Sequence, residues 1–209
     1  ITNAINYFTL ALKAGKTDAL YQLGCLHEDL AILYNKSTDA ELAVSFFKQA
    51  FIIDNQICIL SGLWLAKAYS LGFGVERDEN VAFSYNVKLA DLFPLCSFHQ
   101  NDGGTTNVKA LYYLGKTYLK GTSYAPFSEK TACEYFRRAA DAAHLDEPKA
   151  FLACYELGLL AAKKCLYAYY PGANPTLRQY SIDIRSALFW MMKAGDKGRI
   201  WITSLYKTM

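Results

Sequence analysis

The chain has 209 residues, 53% of them hydrophobic and 20% charged, with a formal net charge of +3. This is enough apolar material to bury a sizeable core, and the charge is too small to indicate a nucleic-acid partner by itself. No apolar stretch reaches the ~18 residues a membrane helix needs, because Lys67, Lys88 and Lys116 interrupt the longest candidates. The first residue is Ile1 rather than Met, so a longer or processed parent chain is expected.

The predicted elements run in chain order as helices. "AINYFTLALKAG" from Ala4 carries Ala4, Tyr7-Phe8, Ala11 and Gly15 at helical spacing and predicts a helix over 2–14. It reads as the second member of a pair, with its first member expected upstream. "ALYQLGCLH" from Ala19 opens a helix predicted over 17–33, and a second follows over 40–54. In that second helix Asp39 stands four residues before Ala43, then come Phe46-Phe47 and Ala50. Asp and Ser are strong N-caps, accepting hydrogen bonds from the first free N–H groups. The aromatic pair and later small residue recur at i+3, i+4 and i+7, one helical face.

The pattern then repeats. "SGLWLA" from Ser61 is a weaker copy of the first helix, over 58–71, and Asp78, Ala82 and Tyr85 mark its partner over 79–92. "ALYYLGKTY" from Ala110 marks a helix over 107–120, followed by Ser128, Ala132, Tyr135-Phe136 and Ala139-Ala140 over 129–144. "ACYELGLLA" from Ala153 lies in a helix over 148–168, and Asp183, Ala187, Trp190-Met191 and Ala194 mark another over 182–196, with a short helix near 199–207. The stretch "PLCSFHQNDGGTTN" (94–107) reads as the clearest flexible loop. A glycine inside a helix costs about 1 kcal/mol, so the recurrence of Leu-Gly at Gly24, Gly115 and Gly158 calls for a close-approaching neighbour helix.

Gly72-Phe73-Gly74 could be taken for a phosphate loop. Such a loop needs glycines between a strand and a helix, whereas the segment before Gly72 has helical spacing. These residues, with Tyr69, Val75, Asp78 and Ala82, resemble the Sel-one-like repeat, a relative of the tetratricopeptide repeat. The third unit adds Ala110, Leu114-Gly115, Tyr118, Gly121, Ala132 and Tyr135-Phe136 in the same register. The link G-x-G-V-x-x-D favours this family over the tetratricopeptide pattern. Departures are plain: His27 and Ala161 replace the tyrosine, "EDLAILYNKST" replaces one glycine turn, and the fourth unit carries a long insert.

The resemblance implies an all-α fold, a superhelical solenoid of antiparallel helix pairs. The whole chain, 1–209, is expected to be one helical-repeat domain, a fragment of a longer chain. Its units are expected at approximately 1–15 (second helix only), 16–57, 58–106, 107–147 and 148–209. Gly24, Gly72, Gly74, Asp78, Ala82, Gly115, Ala132, Gly158 and Ala187 are expected to serve the repeat itself.

Catalytic and metal chemistry find no constellation in the sequence. His27-Glu28 begins H-E-x-x-H, but position 31 is Ala31, and zinc needs a second histidine one turn on. The six cysteines, Cys25, Cys58, Cys96, Cys133, Cys154 and Cys165, form no C-x-x-C. Reduced thiols and a cytoplasmic protein are expected, with a lumenal one as the alternative if flanking sequence carries a signal. No cofactor, metal or small-molecule substrate is expected.

The aromatic surplus, sixteen Tyr, twelve Phe and three Trp, is the stronger pointer. Tyr21, Trp64, Tyr112, Tyr113 and Tyr155 lie shortly after the starting Ala or Ser of the first helices, with Lys116 close by. In superhelical repeats those helices tend to line the concave side, and aromatic anchors are enriched at binding surfaces. The expected function is a non-enzymatic scaffold or adaptor that binds a partner protein or peptide there. An RNA-binding helical repeat, or the repeat region of an enzyme whose catalytic domain lies elsewhere, are the alternatives. RNA reading would need a regular base-reading pair per unit, which these residues do not supply. Self-association through unpaired repeat ends is also expected.

Overall fold

The computed structural model describes residues 2–52, 56–92, 103–141, 148–168, 185–186 and 188–195. Among them the helices are α1 (Thr2–Lys13), α2 (Ala19–Tyr34), α3 (Ser37–Phe51), α4 (Gln56–Leu71), α5 (Glu79–Leu92), α6 (Gly103–Lys120), α7 (Glu129–Asp141) and α8 (Pro148–Ala168). Residues 188–193 are also helical, and the described residues include no strand. The expected helices over 79–92 and 148–168 are found with those bounds. The helix predicted from 182 lies only partly within the described residues, and the one near 199–207 lies outside them. The chain forms two compact units, Ile1–Ala110 and Leu111–Met209.

The recurring glycine has a direct physical cause. A Cβ on Gly24 would come within 2.8 Å of the Phe47 ring, and one on Gly115 within 2.6 Å of Phe136. On Gly158 it would come within 2.7 Å of Met191. In each pair the large side chain is buried and lies over the bare backbone of the facing helix. Burying a side chain of that size contributes about 1.5–3 kcal/mol, which offsets the helical glycine's cost of about 1 kcal/mol. The α4–α5 pair breaks the rule on both sides. Ala66 stands at the glycine's register position, and Asn86 stands where Phe47 and Phe136 do. Its glycine sits one turn earlier, at Gly62, under Phe51 and Leu89.

A second ring contact joins three of the pairs at the link end. Tyr69 stacks on Tyr85 at 5.9 Å and 22°, and Tyr118 on Tyr135 at 5.7 Å and 14°. His27 stacks on Phe46 at 5.5 Å and 18°. The histidine that departs from the repeat pattern therefore keeps the tyrosine's packing role.

The links show why Gly72 and Gly74 are glycines. Gly72 ends α4 at φ 76° and Gly74 follows at φ 65°, a region L side chains avoid. Gly74 also lies against the preceding pair, where a Cβ would fall 2.3 Å from the Ala40 carbonyl oxygen. Phe73 then turns inward, edge-on to Trp64 at 5.7 Å. Asp78 caps α5 as expected, its Oδ1 accepting from the N–H groups of Asn80 (2.9 Å) and Val81 (3.0 Å). Ser128 does the same for α7, its Oγ accepting from Thr131 N–H at 3.2 Å. The backbone N–H of each cap also donates to the tyrosine carbonyl of the preceding helix, Asp78 to Tyr69 at 2.9 Å and Ser128 to Tyr118 at 3.1 Å.

Two expectations are corrected. Asp39 does not cap its helix: α3 begins at Ser37, Lys36 is the N-cap, and no side chain caps it. α2 runs on to Tyr34 and the link shrinks to Asn35 and Lys36, so Asp39 falls inside the helix. Asn35 makes the turn at φ 50° and ψ 45°, the left-handed conformation that Asn tolerates best after Gly. Asp39 Oδ1 instead accepts a hydrogen bond from His27 Nδ1–H at 2.9 Å across α2 and α3. The second correction concerns 94–107, read as a loop: α6 starts at Gly103. The Gly-Gly-Thr-Thr run has weak helix propensity by itself, yet it continues a helix anchored by buried Val108, Ala110, Leu111 and Leu114.

Candidate partner-binding face on α6 and α8

The aromatic candidates separate into two groups by what they touch. Tyr21 and Trp64 both pack on Phe47, edge-on at 5.5 Å and stacked at 4.2 Å respectively. They belong to the packing around Ala43, Val44, Phe47, Leu65 and Ala68. The Trp64 Nε1 is buried with no hydrogen-bond partner among the described residues. Burial pushes the Tyr21 hydroxyl up to about 12, with Cys25 adding to the rise. These two rings hold the first unit together.

The second group lies in the second unit. Tyr112 is buried and packs on Phe136 at 5.9 Å, while its neighbour Tyr113 is 47% exposed. α8 brings two further side chains to this pair. The Lys149 ammonium lies 5.0 Å from the Tyr112 ring centre and 5.1 Å from that of Tyr113, at cation–π distance. Glu156 receives the Lys116 Nζ at 2.9 Å, the glutamate side chain being 16% exposed and the lysine 48%. That hydrogen bond raises the Lys116 pKa against the opposing effect of burial. Burial, then the Glu156 charge, raises that of Tyr112. Tyr155, next to Glu156, is half-buried.

The structure thus brings Tyr112, Tyr113 and Lys116 together and adds Lys149 and Glu156, which the sequence reading did not single out. Register could have found Glu156, since it stands two residues before Gly158 as Tyr113 stands two before Gly115. Lys149 carries no such signal, because its approach to the rings depends on how α8 packs. Gly24, Gly72, Gly74, Asp78, Gly115 and Gly158 lie at the contacts and turns described above, and Ala82 and Ala132 are buried. Ala187 lies outside the described residues. No cluster of three or more His, Cys, Asp or Glu able to hold a metal occurs among the described residues. Nor is any helix there long and apolar enough to cross a membrane.

The repeating contacts coincide with a known pattern. The family model of the Sel1 repeat matches residues 17–51, 63–92, 108–144 and 152–198. The chain belongs to the Sel1 repeat family. Two solved Sel1-type structures are similar to it. One is a protective antigen present in uropathogenic Escherichia coli strains and displaying an SLR fold, 16% identical, TM-score 0.35, with 91% of this chain and 48% of that one covered. The other is a Sel1 repeat protein from Oxalobacter formigenes, 17% identical, TM-score 0.35, with 96% and 79% covered. The chain therefore spans about half the length of the Escherichia coli protein. No curated protein matches. As expected for Sel1 repeats, the described residues include helix pairs joined by capped glycine links, at Gly72 to Asp78 and at Gly121 to Ser128.

Proposed function

We propose that this Sel1 repeat chain is a non-enzymatic interaction scaffold, acting in the cytoplasm, that binds a partner protein or peptide on the α6–α8 face of its second unit. The observation that carries the reading is the exposure of Tyr113 and Lys116 beside a buried, ring-packed Tyr112. At the other repeat positions the aromatic side chains are consumed by packing: Phe47 and Phe136 over glycines, Tyr69 on Tyr85, Tyr118 on Tyr135. Tyr113 meets Tyr112 edge-on at 5.9 Å yet stays 47% exposed, and rigid aromatic rings are common anchors at interfaces.

Affinity capture with the chain, with Tyr113→Ala and with Trp64→Ala tests the proposal. Tyr113→Ala should release captured partners while leaving the circular dichroism melting curve unchanged. Trp64→Ala should lower the melting point, because it removes the ring stacked on Phe47. Partners retained by a folded Tyr113→Ala variant would place binding on another surface.

A further inference from the structure

α6 and α8 together carry six lysines and one carboxylate, Glu156. α6 has no acidic residue between Gly103 and Lys120. Tyr113, Lys116 and Lys120 follow one another at i, i+3 and i+7, one face of the helix, and all three are exposed. Lys149 adds a further ammonium beside the Tyr112 and Tyr113 rings. The carboxylate seen at this cluster is that of Glu156, whose Oε1 takes one of the three N–H donors of Lys116 at 2.9 Å. That contact shows a carboxylate seated at hydrogen-bond distance from Lys116, whose side chain stays half-exposed. The half-exposed Tyr113 ring lies one turn before Lys116 on the same face.

We propose that the partner presents an acidic peptide segment to this face, with carboxylates meeting Lys116 and Lys120 and an apolar side chain lying on Tyr113. The inference rests on the α6–α8 reading above. Charge complementarity selects the partner: an opposite-signed segment is attracted and oriented, and a basic one is repelled. A nucleic acid would satisfy the lysines equally well, but stacking successive bases needs a series of rings. At the register position of Tyr113 the other first helices carry Gln22, Trp64 and Glu156. Of these Trp64 is committed to Phe47, and Glu156 would repel phosphate.

Fluorescence anisotropy with three labelled probes tests the inference: a peptide of Glu and Leu, its counterpart of Gln and Leu, and a single-stranded oligothymidylate. The acidic peptide should bind about tenfold or more tightly than its Gln counterpart, and added salt should erode the difference. Lys120→Glu should remove about tenfold in affinity for the acidic peptide without changing the melting curve, and Lys120→Arg should retain it. Tyr113→Ala should weaken both peptides. Equal binding of the two peptides, still lost with Tyr113→Ala, would overturn the acidic partner and leave the face standing. Binding indifferent to both Tyr113→Ala and Lys120→Glu would overturn the face as well. Tighter binding of oligothymidylate than of the acidic peptide, or no binding of the acidic peptide, would also overturn the inference.

Discussion

At single positions, this fold turns on whether a side chain has one carbon too many. Gly115 lets the Phe136 ring approach to within 2.6 Å of where a Cβ would sit. Gly115→Ala should therefore lower stability in urea by about 1–3 kcal/mol through overpacking, despite alanine's better helix propensity. Phe136→Leu alone should also cost stability, but the double variant should cost less than the two single changes together, since the smaller side chain leaves room for the methyl. The Ala66 and Asn86 pair in the first unit is a natural version of that double change. Additive losses would mean that Gly115 is not set by the ring. The Leu-Gly recurrence was legible in the sequence because backbone approach leaves a gap that only glycine fills. Which residue fills it was not legible, because Phe136 lies on another helix.

For the helix pairs, the decisive features are the links. Asp78 and Asp39 stand at the same distance before their alanines, yet only Asp78 bonds the free N–H groups of a helix start. Asp78→Ala should cost about 0.5–2 kcal/mol, a normal capping loss. Asp39→Ala should remove only the bond to His27, and its cost should vanish in a background where His27 is already Phe. A cost for Asp39→Ala that persists in that background would show that Asp39 does more than hold the histidine. The sequence could not separate the two aspartates. Capping depends on where the helix begins, and α2 and α3 lengthened into a link that reads as a degraded glycine turn. Asn35, the left-handed residue that makes the shorter link workable, is the local clue. The start of α6 at Gly103 escaped the sequence reading for a related reason: glycine and threonine propensities are weak, and buried contacts farther along the helix override them.

For the whole molecule, compartment and thiol state go together. Among the described residues Cys25, Cys58, Cys133 and Cys154 stand outside any disulfide. Burial pushes the Cys154 thiol up from 9.0 to about 11, with Lys193 opposing the rise. The sign follows: the folded protein holds this proton more tightly than the unfolded one. The associated stability is complete below about pH 9 and is lost as pH rises toward about 11. Thiol titration near pH 8 should find Cys154 unreactive in the native protein. It should find all six cysteines of the sequence after denaturation without reductant. Fewer than six would contradict the proposed cytoplasmic setting. Cys154→Ala should flatten the alkaline limb of the stability curve.

The sequence by itself determined the repeat: its helix count within the matched units, its register, the turn at Gly72 and Gly74, and the caps at Asp78 and Ser128. These are local features, fixed by backbone conformation and hydrogen bonds within a few residues, so spacing alone reveals them. Only the tertiary structure decided which aromatic side chains are available to a partner. Tyr21, Trp64, Tyr112 and Tyr113 look alike as letters in matched helices, but three are held in packing and Tyr113 is left half-exposed. Exposure depends on what neighbouring helices bring to each position: Phe47 to Trp64, Phe136 to Tyr112, and Lys149 and Glu156 to the face where Tyr113 and Lys116 stand.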